Sequence, residues 1–351
     1  MASGRYGLAL AARLLGLAGR RVAVPGYVCP AVLTGLHAAS VKVVPIDCAP
    51  GSIRFDAAAL SAAVVDGRID GVLAANSYGI DQDFGLLARL DLPVIEDAAY
   101  QAGRGPGAGA GCCGTRGHAG VWSFNFKALS ALGGGVVLAR SHADVPLARG
   151  VRWTVRDALL FASYVSRSVG RHRIPRFFSD LPAPSAPDTL RDAWTTLRPG
   201  SMSQPQAAVA LAQWRRRDTL ARRQAANAAA ILGAIERSAV FAPLDGSGAS
   251  TASHFVPVVL TAGSGGQAAA SVSVRRLFHE VGVQVEPAYP VVLGSPNQLP
   301  NAWTLAGRLL LLPCNATLGR RQIERIVSAV DAVSRRVGYR VGLPARASAA
   351  C

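Results

Sequence analysis

Lysine is scarce in this chain of 351 residues, since only Lys42 and Lys127 among its 37 basic residues are lysines. Long apolar runs are missing too, and none approaches the ~18 to 20 uncharged residues of a membrane-spanning helix. The sequence also lacks zinc-ligand spacing, a helix-turn-helix signal and interleaved basic and aromatic residues. These absences predict a cytoplasmic protein with no membrane span, no bound metal and no nucleic-acid partner.

The six cysteines show no disulfide framework or metal-ligand pattern, which is consistent with reduced thiols in the cytoplasm. Positive charge, by contrast, is in excess: 37 Lys and Arg stand against 21 Asp and Glu, a formal net charge of +16. Such a balance favours anionic partners such as nucleotides or phosphates. A GC-rich genome, which favours arginine, alanine and glycine codons, explains the same excess equally well.

Residues 121–137, VWSFNFKALSALGGGVV, combine a strand pattern, Lys127 and a triple glycine. Arginine can neither deprotonate at working pH nor form an imine, whereas lysine can do both. A lone lysine at a strand end more often extends its ammonium into water. Lys127 therefore predicts a catalytic site only if the sequence also supplies a second group that the same reaction requires.

That second group is an acidic pair. Residues 92–95 have the pattern of a buried parallel strand, and Glu96 and Asp97 follow at its carboxyl end, where open α/β sheets bind ligands. Pyridoxal phosphate (PLP) requires a lysine for its Schiff base and an acidic residue for its pyridine nitrogen. Asp97 and Lys127 supply that pair and predict a PLP site.

The rest of the chain alternates strand and helix patterns, which predicts βαβ units. Strands are predicted at residues 21–24, 42–46, 71–75, 255–260 and 283–287, and helices at 8–17, 56–65, 214–237, 272–281 and 320–337.

Six stretches occur in a fixed order: Ser3-Gly4-Arg5, Pro25-Gly26-Tyr27, and residues 76–81, 94–103, 122–135 and 302–326. Together they resemble the DegT/DnrJ/StrS family of PLP-dependent sugar aminotransferases. The resemblance implies the α/β type I fold of aspartate aminotransferase. Its large domain, residues 1–237, would hold a mostly parallel, seven-stranded type of sheet flanked by helices, and residues 238–351 would form a smaller α/β domain.

The resemblance also implies a set of cofactor contacts. Phosphate would bind at the helix start, and rings or polar groups would line the pyridine. The residues at these positions are Gly4, Arg5, Tyr27, Cys29, Asp97, Tyr100, Gln101 and Ser123. Cys29 stands where the family usually has an aromatic ring, which Tyr27 could supply instead.

Other positions depart from the family. Pro199 and Ser201 replace the residues that reach the neighbouring subunit's phosphate, and Arg198 or Arg5 could compensate. Residues 151–199 form a divergent basic segment, either a packed helix, a substrate lid or a surface in peripheral contact with acidic lipid. Tyr289 follows a family pattern near the substrate mouth.

The function implied is amino transfer by a homodimer, with Lys127 as the catalytic residue. An amino acid donor, glutamate, would aminate a keto acceptor, namely a keto sugar linked to a nucleotide. One alternative is a non-sugar carbonyl compound of secondary metabolism, such as a keto-cyclitol. Another is a noncatalytic descendant that binds anionic partners.

Overall fold

The computed structural model describes residues 1–102, 113–125, 127–131, 133–140, 200–248, 253–261, 267–291 and 293–341. Side chains are described throughout these ranges except at residues 267–270 and 338–341. The predictions for Arg198 and for the basic segment 151–199 lie outside them.

The larger sheet has six described strands in the order β2-β1-β3-β4-β5-β6. Neighbours are parallel from β2 to β5, and only β6 runs antiparallel, against β5. This confirms the predicted α/β fold with its mostly parallel sheet. The strands are β1 (Arg21–Pro25), β2 (Lys42–Ile46), β3 (Gly71–Ala75), β4 (Val94–Asp97), β5 (Ala119–Ser123) and β6 (Gly135–Ala139).

Helices cover both faces of this sheet because its strands are apolar on both sides. Val22 and Val24 of β1 face a core that includes helices α1 and α2, whereas Ala23 faces the core of α3 and α4. The helices are α1 (Gly4–Leu14), α2 (Pro30–Ala38), α3 (Ala57–Val65) and α4 (Phe84–Leu87). The first turns of α1 and α3 are capped, because the side chains of Ser3 and Asp56 accept hydrogen bonds from backbone N–H groups in those turns.

A second, antiparallel sheet lies in the C-terminal part, with the order β7-β8-β10-β9. Its strands are β7 (Phe241–Pro243), β8 (Phe255–Leu260), β9 (Glu286–Pro287) and β10 (Leu309–Pro313). The helices of this half are α5 (Gln204–Trp214), α6 (Arg217–Glu236), α7 (Gln267–Glu280), α8 (Pro300–Ala306) and α9 (Arg320–Val341).

The small domain has its own apolar core, in which α6, α7 and α9 pack against β8 and β10. Ile231 and Ile235 of α6 are fully buried there, so the helix before residue 238 also belongs to this core. A separate cluster of buried residues joins the two domains through the loops that follow the large sheet. The candidate site lies in that cluster.

Candidate active site

Four loops bring polar side chains to one edge of the large sheet. Each follows a parallel strand at its carboxyl end: Tyr27 after β1, Tyr78 after β3, Tyr100 after β4 and Lys127 after β5. Parallel strands present these ends on the same side, which is where open α/β sheets bind ligands. Residues that are distant in sequence are therefore neighbours here.

Lys127 lies against the aromatic ring of Tyr100, with Nζ 3.5 Å from the ring centroid. Burial lowers the pKa of Lys127, but the acidic groups of Tyr100, Cys29 and Asp97 outweigh it, so the net shift is upward. Asp97 shows the complementary effect. Burial raises the pKa of its carboxyl to about 6, although an N–H bond from Ala99 and the charge of Lys127 oppose the rise.

Tyrosines form the wall between the two domains. Tyr27 and Tyr78 share a hydroxyl–hydroxyl hydrogen bond of 2.7 Å, and the Tyr289 amide donates to the Tyr27 hydroxyl at 2.8 Å. Tyr289 stacks on Tyr78 at 5.2 Å between ring centroids and bonds the Tyr100 hydroxyl. We call Tyr27, Tyr78, Tyr100 and Tyr289 the phenol cluster. Burial raises the pKa of Tyr289, as it does for Tyr27 and Tyr78, so these phenols stay neutral at physiological pH.

The backbone of Tyr78 is left-handed, with φ 56° and ψ 13°. This conformation is uncommon for a bulky residue and is held here by packing, since Tyr78 is fully buried.

A second group of residues, rich in glycine, lies where α1 begins. At the start of α1, a Cβ added to Gly4 would lie 3.0 Å from Cβ and 3.1 Å from Oγ of Ser123. One added to Gly135 would lie 3.1 Å from the Gly4 nitrogen. Gly134 adopts φ 86° and bonds the backbone of Ala2. The helix N-terminus, a serine hydroxyl and close-set glycines together suit an anion such as a phosphate.

A buried polar network surrounds Glu96, the residue before Asp97. The carboxylate of Glu96, fully buried, accepts bonds from Arg116 and Asn76. Arg116 also pairs with Asp81 at 2.8 Å. Gln101 completes the network, since its oxygen accepts from Asn76 and its nitrogen donates to Asp81 and to the Gly79 carbonyl.

The structure thus brings together most of the residues selected from the sequence. Tyr100, Cys29 and Asp97 adjoin Lys127, and Tyr27 joins them through Tyr289. Gly4 adjoins Ser123, with Arg5 in the same first turn of α1. Gln101 lies one residue beyond Tyr100, and its amide is engaged in the buried network. Their roles in cofactor binding stay predictions.

Sequence reasoning missed the buried network and His254, whose imidazole stacks on the Tyr100 ring. Glu96 carried a weak signal, as an acidic residue inside a buried strand. Arg116 and His254 carried none, because a single arginine or histidine outside a motif is indistinguishable from a surface residue.

The described residues lack both a cluster of metal ligands and a membrane-spanning helix. They contain no group of three or more His, Cys, Asp or Glu side chains placed to hold a metal ion. Among the helices described, none combines the length and the apolar character needed to cross a membrane.

Several solved structures share this architecture. The protein Spr1654 of Streptococcus pneumoniae, in its PMP form, has a TM-score of 0.70 at 15% identity, covering 96% of this chain and 87% of that one. The aminotransferase TlmJ of Streptoalloteichus hindustanus has a TM-score of 0.67 at 20% identity, covering 96% and 85%. At these identities the likeness shows the fold.

A curated relative is the L-glutamine:scyllo-inosose aminotransferase of Streptomyces griseus, 31% identical over 152 residues. The aligned stretch spans 42% of this chain and about a third, 35%, of that relative. Residues 1–331 match a family described as the DegT/DnrJ/EryC1/StrS aminotransferase family. The chain therefore belongs to this family of PLP-dependent enzymes and is an aminotransferase.

Proposed function

We propose that this aminotransferase moves an amino group from glutamate to the keto carbon of a polyhydroxylated ring. The observation that carries the proposal is the contact of Lys127 with Tyr100, beside the buried carboxyl of Asp97 and next to the phenol cluster. Aromatic faces and phenolic hydroxyls suit a ring that has both apolar faces and hydroxyl groups.

The residues present fit the family's cofactor. A phosphate would bind in front of the first turn of α1, near Gly4 and the Ser123 hydroxyl, which lie so close together that a Cβ on Gly4 would come within 3.1 Å of Ser123 Oγ. Asp97 would bind the pyridine nitrogen and Lys127 would hold the cofactor covalently. When bound, PLP supplies a ring that withdraws electrons from the donor's α-carbon.

Within this arrangement Lys127 has two tasks. Its amine would hold the cofactor, and when free, Nζ would take the proton from the donor's α-carbon. Once Nζ has taken the proton, the Tyr100 ring would stabilise the resulting ammonium, because Nζ lies over the π face of that ring. Asp97 is ionised above its pKa of about 6, and in that form it would hold a proton on the cofactor's ring nitrogen.

Two acceptors fit this chemistry. The first is a keto sugar linked to a nucleotide, which agrees with the net charge of +16 and the resemblance in the sequence. The second is a free keto-cyclitol. It is favoured by the relative whose name specifies scyllo-inosose and by the hydrogen-bonding hydroxyl groups of the phenol cluster.

Spectroscopy of the reconstituted protein tests the proposal. Purified protein with PLP should show visible absorption from lysine-bound cofactor, and glutamate should bleach it. Each candidate ketone, added after removal of the donor, should then restore the absorption. Lys127→Ala should show none of these changes, whereas Lys42→Ala, a change at an exposed position of β2, should behave like the wild type.

The possible negative results of this experiment refute different parts of the proposal. Absorption that glutamate leaves unchanged would refute the donor, and bleaching that no polyhydroxylated ketone reverses would refute the acceptor class. The family places its cofactor at a subunit boundary, so we also propose a homodimer in the cytoplasm. Light scattering that shows a fully active monomer would contradict the dimer.

A further inference from the structure

His254 lies just before β8 of the small domain and reaches the Tyr100 ring of the large domain. The two rings are nearly parallel, with centroids 5.5 Å apart and planes at 11°. The imidazole also contacts the ring of its chain neighbour Phe255, with 4.2 Å between the ring centroids. Lys127 Nζ also lies over the Tyr100 ring, so the imidazole and the lysine amine both contact the same aromatic ring.

The imidazole has an unsatisfied atom. Nδ1 of His254 is buried and has no hydrogen-bond partner among the residues that the structure describes. Three other buried side-chain atoms share that property, in Ser130, Gln224 and Ser247. His254 differs from them because it stacks on the ring that contacts Lys127. Buried polar atoms are nearly always bonded, and an exception at a binding site indicates a bond made to a ligand.

The charge state of His254 narrows the ligand chemistry. Burial first, and the charge of Lys127 second, lower the pKa of the imidazole to about 3. The ring is therefore neutral at any working pH and offers a hydrogen bond without charge. A hydroxyl group matches it well, because it can donate to or accept from either tautomer. Carboxylate and phosphate groups gain more from charged donors.

We propose that Nδ1 of His254 hydrogen-bonds a ring hydroxyl of the keto acceptor, which makes His254 a specificity residue for the second half of the reaction. This inference rests on the proposed function, since it requires a polyhydroxylated acceptor. Glutamate carries no hydroxyl group, so the donor half of the reaction does not use this bond.

Two substitutions test the roles of Nδ1 and of the aromatic ring of His254 separately. His254→Phe keeps an aromatic ring on Tyr100 but removes Nδ1, whereas His254→Asn places an amide close to the position of Nδ1 and removes the ring. The exposed His279 on α7 provides the control, as His279→Asn. Both halves of the reaction are followed separately by cofactor absorption, with scyllo-inosose and a nucleotide-linked keto sugar as acceptors. Binding of scyllo-inositol, which has no keto group, is measured by calorimetry in the PLP-loaded proteins.

For His254→Phe we expect a loss of about ten- to a hundred-fold in acceptor kcat/KM and in polyol affinity. Its rate of bleaching by glutamate should stay within about three-fold of the wild type, and His254→Asn should recover part of the acceptor loss. Equal acceptor use by wild type and His254→Phe would overturn the inference alone. A purely structural role would slow both halves equally in His254→Asn. If the wild type uses neither ketone and binds no polyol, the inference falls together with the proposed acceptor class.

Discussion

Asp97 gives the most quantitative prediction, because its ionisation should destabilise the cofactor-free protein. Burial raises its pKa from the ordinary 3.8 to about 6. That difference corresponds to about 3 kcal/mol against folding when the group is fully ionised. This value is an upper end, since Asp97 keeps some accessible surface. Asp97→Asn removes the charge and keeps an oxygen for the Ala99 amide.

The sign follows from proton binding. Between pH 3.8 and about 6 the folded state holds this proton more tightly than the unfolded state does. Stability therefore falls as pH rises through this window, and the loss is nearly complete above pH 6. Between pH 5 and pH 8 the free energy of unfolding should therefore fall by about 1.4 kcal/mol more in the wild type than in Asp97→Asn, which has no carboxyl at this position.

Urea unfolding of the cofactor-free proteins at pH 5 and pH 8 measures this difference. Asp97→Asn should be more stable than the wild type, with a larger gap at pH 8, and should bind PLP more weakly. The exposed Asp218 supplies the control, and Asp218→Asn should show no such gap. A variant that is less stable at pH 8, or a gap that does not change with pH, would refute the argument.

Three further predictions test the surroundings of the site. Arg116→Met should lower the free energy of unfolding by about 3 to 5 kcal/mol in urea titrations, because it leaves the buried Glu96 without its cation. The control Arg68→Met, at an exposed ion pair, should change the free energy of unfolding by less than about 0.5 kcal/mol. Gly4→Ala should weaken PLP binding at least about ten-fold in fluorescence titrations, because the new methyl would lie 3.0 Å from Ser123; unchanged affinity would place the phosphate elsewhere. Gly233→Ala, in an open part of α6, should instead stabilise the protein by about 0.5 to 1 kcal/mol, and a thermal melt that shows destabilisation would contradict the packing described there.

Much of the fold was predictable because its elements carry strong local signals. The strands expected at residues 42–46, 71–75 and 255–260 are confirmed at those residues. Apolar β-branched runs between turns produce such signals. Ends were less accurate: the strand expected at 92–95 runs from Val94 to Asp97, because Glu96 and Asp97 continue the pairing with β5. The helix expected at 214–237 begins at Arg217, after α5 has ended at Trp214.

The site was predictable only in part, for a physical reason. Asp97 and Lys127 could be paired because a known chemistry requires both types of residue. Nothing in the sequence pairs Tyr100 with His254 or Glu96 with Arg116, since these contacts arise from sheet order and domain docking. The described residues show six strands in the large sheet, where the family resemblance implied a seven-stranded type.

The phenol cluster also affects the order of folding. The bond from the Tyr289 amide to the Tyr27 hydroxyl spans 262 positions of the chain, and the left-handed turn at Tyr78 is packed against the same tyrosine. Contacts of such long separation form late, after the entropy of loop closure has been overcome. During synthesis Tyr27, Tyr78 and Tyr100 therefore emerge before Lys127, whereas Tyr289 emerges long after it. The pocket around Lys127 closes only when residue 289 has left the ribosome and the small domain has docked.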